Sequence, residues 1–138
     1  MKMRQLTDEQ KAKSEEKKAR FKGIIKTVAA MTKDQREELA KKIMVTNCEG
    51  HTLSVYNNCL IWHQGGLNAT IVGGFHQWLK HGRAVAKGQH GFAILFPREK
   101  KNGNGNGDNE EITEEKAQIH FLTGYVFDIS QTIEIETN

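Results

Sequence analysis

Ser54-Val-Tyr56-Asn57-Asn-Cys59-Leu60-Ile61-Trp62-His63-Gln64-Gly-Gly66 decides how this chain is read, together with Ala69-Thr-Ile-Val72-Gly-Gly74-Phe75-His-Gln-Trp78 and Gly82-Arg83-Ala-Val85-Ala-Lys87-Gly88-Gln-His-Gly91. Leu53, Tyr56 and Leu60 recur at helical spacing with Ile61 beside them and His63 extending the row, which predicts a helix over about 53–64. Ser54 suits its start and Gly65-Gly66 its end. Residues 69–72 then predict a short strand, and Gly73-Gly74 leads into a helix over about 75–81, stopped by Gly82 as a left-handed cap. Arg83 to Lys87 runs into a hairpin turn at Gly88–Gly91. The apolar run 92–97 reads as a strand with Pro97 at its edge.

On the N-terminal side, residues 3–30 look helical, yet their apolar positions are few: Leu6, Phe21, Ile24, Ile25 and Val28. Packing has little to hold over the first two-thirds, so a projecting or partly disordered helix is expected, anchored near Phe21. Thr32 and Gln35 fit a capping box for a second helix reaching residue 44, and 47–50 read as its stop and turn. On the C-terminal side, Asn-Gly repeated three times over 102–107 predicts a mobile loop extending to about 115. Residues 116–127 return as a strand, with Ile119, Phe121 and Tyr125 on one face, Leu122 and Val126 offset, and a bulge near Gly124. The expected fold class is α+β: a helical N-terminal half packed on a small antiparallel sheet. Its units are a charged helical arm (1–30), a folded domain (31–132, with 102–115 as the loop), and an acidic tail or edge strand (133–138).

The 138 residues suffice for one domain with a real core. No apolar run approaches the roughly 18 residues of a membrane span, and the charged N-terminus lacks the apolar stretch of a secretion signal. A cytoplasmic protein with reduced Cys48 and Cys59 is expected. The net charge of +3 conceals an asymmetry. Residues 1–42 carry 13 Lys/Arg against 7 Asp/Glu, 43–101 carry 6 against 2, and 102–138 carry 1 against 8. A basic segment among aromatics suits a polyanion with exposed bases.

The candidate nucleic-acid-binding residues follow from that pairing. Tyr56, Trp62 and Trp78 could offer stacking faces, although core packing is the plainer reading of Trp78 and more so of Phe75. Asn57 and Gln64, two helical turns apart, could bond base edges or cap neighbouring backbone. Arg83 and Lys87 beside the glycine-bounded turn could hold consecutive phosphates or merely face water, and Arg98, Lys100 and Lys101 would extend the cationic groove. Cys48, His51, Cys59 and His63 have ligand types and short spacings compatible with zinc, but Cys59 reads as core. There is no His-Glu-x-x-His, no Gly-Lys-Ser/Thr phosphate loop and no histidine–carboxylate pair in the middle segment, so no catalytic residue, metal or cofactor is expected.

The order of Ser54, Asn57, Leu60-Ile61, Gln64, Thr70, Val72, Gly74-Phe75, Trp78, Gly82-Arg83, Val85 and Lys87-Gly88 resembles the N-terminal domain of ArdC-type antirestriction proteins. Gly91, Ile94, Pro97 and Val126-Phe-Asp-Ile-Ser-Gln-Thr132 continue the likeness over about 80 of the 138 residues. The resemblance implies an α+β domain that binds single-stranded DNA with little sequence preference, carried by plasmids, phages or other mobile elements. Tyr56 stands where members often have a basic residue, and Gln89-His90 where they often have an acidic then a basic one. Longer members continue into a zinc metallopeptidase-like domain; no peptidase activity is expected of residues 1–138. The rival expectation is a protein-binding module that inhibits a host defence protein, its acidic segments 108–115 and 134–136 imitating nucleic acid.

Overall fold

The structure is a computed structural model, and it describes residues 7–97 and 121–135. Arg98, Lys100, Lys101, the 102–115 loop and the end of the acidic tail lie outside the described residues. Two helices open the chain, α1 (Asp8–Ala30) and α2 (Lys33–Ile43), followed by β1 (Thr46–Asn47), α3 (Val55–His63), β2 (Ile71–Gly73) and α4 (Phe75–Lys80). Then come β3 (Arg83–Val85), β4 (Phe92–Pro97), β5 (Phe121–Asp128), a 3-10 turn (Ile129–Gln131) and β6 (Thr132–Glu134). The α+β class holds.

Local chemistry sets the helix ends. Thr7 with Gln10 and Thr32 with Gln35 form reciprocal capping boxes at α1 and α2, each side chain bonding the other's backbone amide. Ser54 accepts from the Asn57 amide at the start of α3. Gly65 and Gly82 take φ of +87° and +77° just past α3 and α4, a conformation that side chains with a Cβ rarely adopt.

The main sheet has the order β1-β2-β5-β4. β1 runs parallel to β2, while β2–β5 and β4–β5 are antiparallel, so the sheet is mixed rather than wholly antiparallel. The parallel strand is Thr46–Asn47, whose second residue opens the stretch read as a stop and turn. Asn47 serves both: it pairs with Val72, and its side chain accepts from the amides of Glu49 and His51 to close the turn. β3 does not form a hairpin with β4. It pairs with β6, so the Gly88–Gly91 segment joins two sheets, and the edge-strand alternative for the C-terminal acids applies to Thr132–Glu134.

The β4–β5 register runs without interruption from Phe92↔Val126 to Pro97↔Phe121, so there is no bulge at Gly124. The glycine has another cause. The Phe96 ring lies across it so closely that any Cβ would overlap the ring.

Among the described residues the core forms two clusters. Ile25, Val28, Leu39, Tyr56, Cys59, Leu60 and Leu95 join α1, α2, α3 and β4. Val45, Ile61, Ala69, Val72, Ile94 and Val126 join α3 to the main sheet. Fully burying each large aliphatic side chain is worth about 1.5–3 kcal/mol. The second half of α1 is therefore packed into the body of the domain, while Phe21 and Ile24 are only partly covered against the first cluster. No helix among the described residues is long and apolar enough to cross a membrane.

Candidate functional site

Asn57 and Gln64 face the outer edge of β4. The Asn57 side chain accepts from the Leu95 amide at 3.0 Å and donates to the Leu95 carbonyl at 3.0 Å. Gln64 does the same for Ala93, at 2.8 and 2.7 Å. Each carboxamide substitutes for one residue of a missing neighbour strand, and α3 seals an edge that would otherwise be open to pairing. Of the two roles the spacing allowed these residues, backbone capping is the one the structure displays.

Tyr56 and Trp78 are interior residues, 6% and 3% exposed, which removes the stacking faces expected of them. The Tyr56 hydroxyl donates to the Ile25 carbonyl near the end of α1. The Trp78 indole lies against Gly73 and donates to the Phe127 carbonyl at 2.8 Å, tying α4 to β5. Phe75, read as core, is half-exposed instead, because the short α4 buries its Trp78 side.

Arg83 is also committed internally. Its Nε donates to Thr132 Oγ1 at 2.6 Å, a second nitrogen donates to the Thr132 carbonyl, and the third lies 3.6 Å from Glu134. The guanidinium thus fastens β3 to β6 and is poorly placed to hold phosphate. Lys87 is exposed on the connection leading to His90 and Gly91. Gln131 shapes that connection by donating to the Gln89 side chain and the His90 carbonyl.

The four zinc-type side chains do not converge, and among the described residues no three His, Cys, Asp or Glu form a group able to hold a metal. Burial pushes the Cys59 thiol up to about 11, partly offset by Arg36, and the thiol donates to the Arg36 carbonyl. Burial likewise raises the Cys48 thiol.

A groove of about 550 Å³ opens where α1 crosses the end of α3 and the β4–β5 hairpin. Lys17, Arg20, Phe21 and Ile24 line one side, at positions that recur along one helix face. His63, Gln64, Tyr125 and the His90–Ala93 segment line the remainder, and among the described residues no carboxylate does. The Tyr125 ring is half-exposed, and the Lys17 ammonium stands 5.5 Å from its centroid, within cation–π range. His63 Nε2 is buried without a hydrogen-bond partner. Trp62, the accessible tryptophan, packs edge-on to His63 but faces a different depression between α2 and α3, shared with Met31, Asp34, Glu38 and Leu39.

Of the described residues singled out from sequence as binding nucleic acid, only Gln64 lines the basic groove. Its cations come from α1 and its best stacking face from β5. The α1 contribution had a readable signal: Lys17, Arg20, Phe21 and Ile24 share a face that is basic and apolar at once.

A family model for the N-terminal domain of anti-restriction factor ArdC matches residues 5–127. No curated protein matches the chain. Among solved structures, the antirestriction protein ArdC from plasmid R388 is similar in its Mn(II)-bound form at 13% identity and a TM-score of 0.49, over 81% of this chain and 40% of that one. Its metal-free form is similar at 15% identity and a TM-score of 0.49, over 82% and 42% respectively. The chain thus spans about two-fifths of the length of those proteins. With more than half of its residues matched by one family model, the chain belongs to the family of ArdC N-terminal domains.

Proposed function

We propose that this domain binds single-stranded DNA with little sequence preference, in the cytoplasm and without catalysis of its own, as part of an antirestriction function carried by a mobile element. The observation that carries this reading is the groove under α1, where Lys17, Arg20 and two histidines surround Tyr125 with no carboxylate among the described lining residues. Positive charge beside an accessible ring is what an unpaired strand requires: phosphates displace counterions, and a base gains about 1–3 kcal/mol by stacking.

The test is fluorescence anisotropy of labelled single-stranded and duplex oligonucleotides at two salt concentrations. Tighter, salt-sensitive binding to the single strand is expected. Absence of binding at low salt would overturn the reading. It would favour the protein-binding alternative, for which the depression between α2 and α3 offers Trp62, Met31 and Leu39 among Asp34, Glu38 and Lys42, an apolar seat with charges of both signs.

A further inference from the structure

A second groove, of about 460 Å³, lies on the other side of Tyr125. It shares Lys17, Phe21 and Tyr125 with the first and adds Lys18 and Lys22 from α1, with Phe121, Leu122 and Thr123 from β5. Again no carboxylate lines it among the described residues. Both volumes fall in the range of about 300–1,000 Å³ typical of small-ligand pockets. The Lys17–Tyr125 pair is the partition between them.

We infer that these two compartments take two successive nucleotides of one strand, one on each side of Tyr125, with the linking phosphate over Lys17. The inference rests on the single-stranded-DNA reading and adds its smallest ligand, a dinucleotide. In the first compartment a base stacks on the exposed ring of Tyr125, with Arg20 and His90 in the same lining. In the second the apolar side chains of Phe121 and Phe21 receive a base, and Lys18 and Lys22, one helical turn apart, flank the following phosphate. The floor of each compartment lies beneath α1, so a base already paired in a duplex cannot enter. Selectivity for the single strand follows from this placement and not from base-edge recognition.

The experiment is competition against a labelled twelve-residue oligothymidylate by unlabelled thymidine monophosphate and by the 5′-phosphorylated thymidine dinucleotide. With the unaltered protein the dinucleotide is expected to compete about tenfold or more better than the mononucleotide, the gain of a second stacked base. In K18Q/K22Q, and independently in Thr123→Trp, which fills the second compartment from an exposed position, the ratio of dinucleotide to mononucleotide competition should fall to within about twofold. The inference is overturned if both variants retain the full dinucleotide advantage, or if mononucleotide and dinucleotide compete equally with the unaltered protein. Failure of the unaltered protein to bind the twelve-residue strand is a separate result that overturns the function itself, and the two-nucleotide site with it.

Discussion

Asn57 meets both polar groups of Leu95, so its removal leaves a strand amide and a strand carbonyl unpaired at once. An unsatisfied, partly buried backbone group costs about 1–3 kcal/mol. Asn57→Ala should therefore lower unfolding free energy in urea by about 1–3 kcal/mol, while the folded variant binds oligonucleotide with unchanged salt dependence, since Asn57 is absent from the groove lining. A flattened salt slope in this variant would return Asn57 to the binding surface. Asp128 makes a second residue-scale case. Burial alone would raise its carboxyl, but donors from the Ser130 hydroxyl and the amides of Thr70, Ser130 and Ile71 outweigh burial and hold it below the ordinary value. Its folded value lies under its unfolded one, so the stabilisation is fully present above about pH 4, the unfolded range. It is lost as pH falls through that range toward the folded value. Thermal melts from pH 7 down to 3 should show an acid-induced loss of stability that is shallower in Asp128→Asn; equal acid limbs would mean the carboxylate bonds contribute nothing net.

Helix ends were the most legible elements, because capping is local chemistry: Thr32 with Gln35 and Ser54 mark their helices from sequence alone. Strand partners were not legible to the same degree. β3 and β4 are neighbours along the chain with a glycine-bounded connection, which reads as a hairpin, yet their hydrogen bonds go to β6 and β5. That choice depends on Arg83 finding Thr132 and Glu134, about fifty positions away, which periodicity does not register. The two-residue β1 is too short to leave a pattern of its own. One helix end departs from local preference. Met44 caps α2 in the left-handed conformation at φ 42°, its side chain largely exposed. A residue with a Cβ loses about 1–2 kcal/mol there, and glycine does not. Met44→Gly should raise the midpoint of urea denaturation, the added chain entropy of glycine reducing the net gain to about 1 kcal/mol or less. A fall in the midpoint would show that the methionine side chain contributes packing that its exposure conceals.

At the scale of the whole molecule, the basic groove is assembled from four parts of the chain far apart in sequence, with Lys17 and Arg20 from α1, His63 from α3, His90 before β4, and Tyr125 from β5. The sequence places cations next to aromatics along the chain, around 78–87, whereas the fold places them next to each other by laying α1 over the hairpin. What anchors α1 is its apolar second half, with Ile25 and Val28 in the core, and Arg36, which donates to the carbonyls of Val28 and Met31 where the α1 dipole ends. A charged helix read as an appendage thus becomes one wall of the candidate site. The consequence separates two sets of arginine and lysine by what they do. Lys17→Ala/Arg20→Ala should weaken single-strand binding and reduce the slope of log affinity against log salt by about 0.7 for each phosphate no longer neutralised, with little change in melting temperature. Arg83→Ala should do the reverse: the β3–β6 pair loses its fastening and stability falls, while the slope stays as it was. If instead Arg83→Ala flattens the slope and the α1 pair leaves it intact, the nucleic acid runs over the β3–β6 face, and the groove beneath α1 serves another purpose.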